Sequence, residues 1–203
     1  MLSIHRRAHS HLSLATILQA KGAIRFLLSN DPRALTIRDR TVVKIFPMAD
    51  PDGVAHGGVR FNRNGYDLNR NWDVIDPVIM PEITAQRRAI LDWVDRGGRL
   101  DLFLSLHNTE KSEYLECPRL YRAVGEKLLK LLKETTTFDP TSDLRDQGEQ
   151  ATVAQGVFHD RKVPGMLMEQ KIEYNSKLGR CATIADRLNF GGELVRAIRE
   201  ALP

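Results

Sequence analysis

A chain of 203 residues with 42% hydrophobic and 28% charged side chains can bury one substantial core, and by length it reads as one domain. Its net charge of +4 is spread over interleaved Lys, Arg, Asp and Glu rather than gathered in a block, which argues against nucleic acid as a partner. No run of 18 apolar residues occurs, so no membrane-spanning helix is expected; two cysteines, Cys117 and Cys181, without metal-ligand spacing point to a reducing, cytoplasmic setting.

At the N-terminus Arg6 and Arg7 precede a partly apolar stretch, but Gln19, Lys21 and Arg25 interrupt it and no cleavage signal of small residues follows. Leu14, Ile17, Leu18, Ile24, Leu27 and Leu28 recur at helical spacing, and Asn30-Asp31-Pro32 ends that helix. Thr41 to Met48 is β-branched and apolar and stops at Asp50-Pro51-Asp52-Gly53, so it reads as a buried strand closed by a turn. Residues 54–80 are rich in Gly and Asn and predict a long loop, a feature more often functional than idle. Pro81-Glu82 opens an amphipathic helix carrying Ile83, Ile90 and Val94, with Gly97-Gly98 as its stop. Leu100–Leu106 is a second strand with His107 at its end. A helix through Leu120, Val124, Leu128 and Leu131 or Leu132 follows, then a polar connection over 134–150. Val163–Met168 is a third strand, with Glu169 at its end, and the last helix holds Leu194, Val195 and Ile198. The alternation predicts an α/β fold with helices on both faces of a sheet.

The chemistry-bearing residues gather just past strand ends, where open α/β sheets bind ligands. The densest group is Gly65-Tyr66-Asp67-Leu68-Asn69-Arg70-Asn71-Trp72-Asp73. A guanidinium can hold a carboxylate through two parallel bonds, and asparagine adds a donor and an acceptor beside it, so this segment suits a small anion. The bland alternative for Arg70, a surface bridge between Asp67 and Asp73, is the lesser reading. His107 alone reads as an ordinary hydrogen-bonded histidine, and Glu169 has a neighbour of the same kind in Glu173.

Together these segments resemble the zinc carboxypeptidases of the carboxypeptidase A type. Asn69-Arg70-Asn71-Trp72-Asp73 is similar to the family's substrate-carboxylate motif, and Phe46–Val54 to its strand and turn, with Asp50 where asparagine is usual. Arg60, Asn62 and Gly65 keep the family's spacing, Asp101–His107 resembles the strand of its third zinc ligand, and Pro164–Glu169 the strand of its catalytic glutamate. The resemblance implies a three-layer α/β/α sandwich with a mixed, mostly parallel sheet, and a Zn2+ cofactor. It implies His107 as metal ligand, Glu169 as general base and Arg60 as the group polarising the scissile carbonyl. Asn69 and Arg70 would hold the substrate's terminal carboxylate. The implied reaction is release of a C-terminal residue from a peptide. N-acyl amino acids as substrates, or a module that only binds free carboxyl termini, fit the same grip. The implied partner is a peptide or small carboxylate-bearing molecule, with the oligomeric state open.

The departure lies upstream. The family carries a His-x-x-Glu ligand pair about a dozen residues before the position of Gly22; here that region reads His9-Ser10-His11-Leu12-Ser13-Leu14, and no glutamate precedes Glu82. The resemblance therefore runs over residues 22–203. Residues 1–21 form an atypical segment, expected to reflect an N-terminus lacking two ligands and the leading strands. His107-Asn108-Thr109-Glu110 repeats the His-x-x-Glu spacing but stands at the third ligand's place, which leaves Glu110 a minor candidate. His5, His9 and His11 read as a His-rich start rather than a metal site.

Overall fold

A computed structural model describes residues 2–6, 14–58, 60–148 and 152–203, with residues 2–6, 14 and 160 described by their backbone only. Strand β1 (Leu2–Arg6) is followed by helices α1 (Leu14–Leu27) and α2 (Pro32–Arg40). Pro32 opens α2, where its fixed φ suits the first turn. Asp31 caps α2, accepting from the Arg33 N–H at 2.8 Å, while the Arg33 guanidinium on the same carboxylate holds that carboxyl below its usual range. The helix expected to end at Asn30-Asp31-Pro32 already stops at Leu27, and a second one begins at Pro32.

Strand β2 (Val43–Ile45) is shorter than the expected Thr41–Met48. The Asp50-Pro51-Asp52-Gly53 segment, read as a turn, opens a one-turn helix, α3 (Pro51–Ala55), because the Asp50 carboxylate accepts from the Gly53 N–H at 2.7 Å. Helix α4 (Pro81–Asp95) matches expectation and stops where Gly97 takes φ +83°, a conformation other residues resist. Strand β3 (Leu102–Thr109) runs three residues past its expected end, so His107 lies inside it. Strand β4 (Tyr114–Cys117) leads to α5 (Arg122–Thr135) and to β5 (Asp143–Asp146), which lies within the stretch read as a polar connection. Helix α6 (Val153–Arg161) precedes β6 (Gly165–Lys171), which contains Glu169. A small hairpin of β7 (Tyr174–Asn175) and β8 (Arg180–Cys181) leads to α7 (Ile184–Ala201), opened by a reciprocal Thr183–Asp186 cap.

The six-stranded sheet has the order β2-β1-β3-β6-β4-β5. β2, β1, β3 and β6 run parallel, β4 pairs antiparallel with β6, and β5 follows β4 in parallel, giving the mixed, mostly parallel sheet expected. Side chains alternate between the faces. Leu102, Leu104, Leu106, Met166 and Met168 pack with Leu128 and Leu132 of α5 and Phe190, Leu194 and Ile198 of α7. Phe103 faces the other way, into a cluster with Ile83 and Ile90 of α4, Val153 and Val157 of α6, and Leu68, Trp72 and Met80 of the 60–80 loop. Covered on both faces, β3 is buried at every residue from Leu102 to His107. On the first face α1 and α7 meet backbone to backbone at Gly22 and Gly191, where a Cβ on Gly191 would overlap the Gln19 carbonyl oxygen.

Candidate active site

The parallel register sets His107 of β3 opposite Glu169 of β6. Both share the odd-numbered face of Phe103, Ser105 and Leu167, the face covered by α4, α6 and the 60–80 loop. His107 is 1% exposed and Glu169 6% exposed. His107 Nδ1 stands 3.7 Å from Glu169 Oε1, longer than a direct hydrogen bond. The opposite ring nitrogen, Nε2, bonds the Ser105 hydroxyl at 2.8 Å, which fixes the ring plane and turns Nδ1 toward the carboxylate. Glu173 and Glu110 are exposed, so of the glutamates weighed from sequence only Glu169 joins His107.

The end of β6 is held by a second buried carboxylate. Glu113 accepts from the Asp139 N–H at 2.6 Å and from the Lys171 N–H at 3.0 Å, and buried Arg187 donates to the Lys171 carbonyl at 2.7 Å. Burial pushes the Glu113 carboxyl up to about 6, against the lowering effect of the two amide bonds.

The other candidates sit on the 60–72 loop, and short-range bonds account for its shape. Asn62, 4% exposed, accepts from the Asn64 and Tyr66 N–H groups, each at 3.0 Å, and donates to the Ile79 carbonyl at 2.9 Å, so it closes the loop and ties it to the start of α4. Asp67 divides its carboxylate: Oδ2 holds Arg60 (Nε at 2.8 Å, Nη2 at 2.6 Å) and Oδ1 accepts from the Asn69 N–H at 2.9 Å. Its carbonyl accepts from the Arg70 N–H at 2.9 Å. Asp67 therefore takes Arg60 as its ion-pair partner, whereas the surface reading of the motif paired it with Arg70. Arg70 is half-buried, with Nη1 bonded to the Asn69 carbonyl at 3.0 Å. Asn71 then adopts φ +61°, a left-handed kink asparagine tolerates, and Trp72 turns into the core with Nε1 on the Leu68 carbonyl at 2.9 Å.

Two contacts join this loop to the helix over the sheet. Asn69 Oδ1 accepts from the Val153 N–H at 3.2 Å, in the first turn of α6, whose N-cap Thr152 makes no side-chain capping bond. Trp72 lies against Gly156 of α6, where a Cβ would come within 2.7 Å of the indole side chain. Through α6, Arg60, Asn69 and Arg70 are set on the same side of the sheet as His107 and Glu169. Three parts of this arrangement were not read from the sequence: Ser105, the docking on α6 and the Glu113 clamp. Of these only Ser105 left a signal, because it stands two residues before His107 and so shares its face.

A tetrahedral zinc site needs three or four protein ligands. Among the described residues no group of three or more His, Cys, Asp and Glu side chains is placed to hold a metal ion. His107 offers one nitrogen, and the described donors do not fit zinc. His9 and His11, and the side chain of His5, lie outside the described residues.

Comparison with known proteins adds three findings. The family model described as zinc carboxypeptidase matches residues 15–118, half of the chain. Mouse cytosolic carboxypeptidase 1 is 43% identical over 82 residues, 40% of this chain and 7% of that protein; human cytosolic carboxypeptidase 6 is 35% identical over 88 residues, 43% of this chain and 18% of that protein. Among solved structures, a metallo-carboxypeptidase from Burkholderia cenocepacia superposes with TM-score 0.83 at 21% identity, covering 98% of this chain and 56% of that one. The metallo-carboxypeptidase from Pseudomonas aeruginosa in complex with (2-guanidinoethylmercapto)succinic acid gives 0.75 at 19%, over 97% and 55%. The chain thus spans a small part of the curated relatives and just over half of the structural ones, with which it shares the fold.

Proposed function

Since this chain belongs to the zinc carboxypeptidase family, we propose that its site takes the free C-terminus of a peptide and serves hydrolysis of the last peptide bond. Arg70 and the Nδ2 amide of Asn69 hold the terminal carboxylate, Arg60 lies beside the scissile carbonyl, and Glu169 is the base. The observation that carries this reading is the docking of the Arg60–Arg70 loop, through Asn69 and Trp72, on the helix covering the His107–Glu169 face.

In the reaction, Glu169 accepts a proton from water as its oxygen attacks the carbonyl carbon. The oxyanion that forms meets the Arg60 guanidinium. As the C–N bond breaks, the proton passes to the leaving amine. Zinc is the cofactor the family name implies. The described residues supply one donor toward it, so stoichiometric metal requires donors beyond them. That shortfall favours a second reading, a module that binds free C-termini without cleaving them. The cytosolic relatives and the absence of a helix long and apolar enough to cross a membrane, among the described residues, support a cytoplasmic placement.

Calorimetry with blocked dipeptides as free acids and as C-terminal amides tests the grip. The acids bind and the amides do not, and Arg70→Ala weakens acid binding about 10- to 100-fold, the range of a charge-assisted pair. Equal binding of acid and amide refutes the grip. Elemental analysis and product release, with Glu169→Gln as control, separate enzyme from binding module. Stoichiometric zinc, with turnover that Glu169→Gln abolishes, identifies the enzyme.

A further inference from the structure

We propose that Asp67 is the positioning residue of this site: by fixing Arg60 against the Asn69–Arg70 grip, it sets where along a bound peptide the Arg60 guanidinium acts. The inference rests on the carboxylate-binding reading above and deepens it.

Asp67 contacts all three residues to which that reading gives substrate. One carboxylate oxygen takes two nitrogens of Arg60, the other takes the Asn69 N–H, and the backbone carbonyl takes the Arg70 N–H. A backbone bridge between Phe61 and Asp67 brings the two ends of the loop together, beside the bond from the Tyr66 N–H to Asn62. The Asp67 side chain is 11% exposed, so the pair with Arg60 is shielded from water on the carboxylate side, whereas the Arg60 side chain keeps 39% of its surface open. That asymmetry suits a guanidinium held from behind and presented forward. The Nε edge and one Nη are engaged by Asp67, and the planar fork still has N–H donors to offer a ligand. Without Asp67, Arg60 has the rotamer freedom of a long surface side chain, and each bond it makes to a ligand must first overcome that entropy.

Because Asp67 acts through Arg60, its effect concerns the acyl carbonyl of the ligand rather than the carboxylate. The test compares N-acetyl amino acids with the matching desamino carboxylic acids, which keep carboxylate and side chain but lack the acyl amide. Titrations use the wild type, Asp67→Asn, Arg60→Ala and the double variant. Asparagine retains Oδ1 as acceptor for the Asn69 N–H, so the grip stays formed. The expected result is that Asp67→Asn removes at least fivefold of the affinity gained from the acyl amide and changes binding of the simple acids less than twofold. Arg60→Ala produces the same loss, and the double variant loses no more than Arg60→Ala.

A purely structural role lowers both ligand classes together and overturns the proposal, as does an unchanged acyl increment in Asp67→Asn. Additive losses in the double variant also overturn it, since Asp67 then acts by another route. Failure of the wild type to bind any free acid strikes the carboxylate reading itself and is distinct from all three. Should Asp67→Asn not fold, the Arg60→Ala and Arg60→Lys variants decide. A retained acyl increment in Arg60→Ala, or full function in Arg60→Lys, which has no planar fork, refutes the arrangement.

Discussion

Asn69 has two ends, and they can be separated by mutation. Its Oδ1 serves as a cap for α6, accepting the Val153 N–H at 3.2 Å where Thr152 supplies no side-chain capping bond. Its Nδ2 is assigned to the substrate carboxylate. Asn69→Ala removes both. Losing a helix-capping acceptor costs about 1 kcal/mol, with a range of roughly 0.5–2 kcal/mol, and at this chain length about 1 kcal/mol corresponds to roughly 2–4 °C in Tm. Asn69→Asp retains an acceptor at the same place, and a negative charge beside a helix N-terminus contributes about 0.3–1 kcal/mol in its favour. The side chain is 5% exposed, so desolvation of the carboxylate opposes that gain, and the expected net change lies within about 1 kcal/mol. For the ligand the order reverses. Asp presents a like charge to the bound carboxylate and is expected to abolish measurable binding, while Ala only removes one donor and weakens it about tenfold, near 1.4 kcal/mol. Urea titration gives the stability ranking, with Asn69→Asp above Asn69→Ala, and calorimetry gives the affinity ranking, with Asn69→Ala above Asn69→Asp. If the two rankings run in the same order, Asn69 does not divide its amide between helix and ligand.

Two further expectations concern the scaffold. A Cβ on Gly191 overlaps the Gln19 carbonyl, so Gly191→Ala forces α1 and α7 apart and is expected to lower stability by at least about 1–3 kcal/mol, read as a lower urea midpoint; an unchanged midpoint refutes the tight crossing. Glu113, raised to about 6 from an ordinary 4.5, favours its protonated form in the folded chain. Its contribution is complete below about pH 4.5 and is lost as pH rises through 6, a change of about 2 kcal/mol. The stability difference between wild type and Glu113→Gln should therefore shift against the wild type by that amount from pH 4.5 to 7, and a pH-independent difference refutes the burial of this charge.

The fold was legible where burial left a clear pattern. Leu102–Leu106, Ser105 apart, and Val163–Met168 are apolar because β3 and β6 occupy the middle of the sheet, and α4 carries its own Pro start and Gly stop. The misses have opposite causes. β5 reads Asp-Leu-Arg-Asp because it is a sheet edge with half its surface in water, so charge masks it. α6 contains Gly156, kept small by the Trp72 ring packed on it rather than by any helical requirement. His107 and Glu169 were singled out from strand context, and their direct opposition follows from a register no local pattern encodes. The choice of Arg60 over Arg70 as the partner of Asp67 depends on how Asn62 closes the loop. Equally, the cap from Asn69 reaches a residue 84 positions away, beyond anything periodicity can signal.

That span sets an order of events during synthesis. The Arg60–Trp72 segment leaves the ribosome early, with its internal turns able to close at once, yet Val153 and Gly156, on which it docks, emerge far later. Until then Trp72 lacks the α6 part of its cover and Asn69 has no Val153 N–H to accept from. Release of the chain before α6 leaves the recognition segment without the helix that Asn69 and Gly156 tie it to, so fragments ending there should be degraded rather than accumulate as binders.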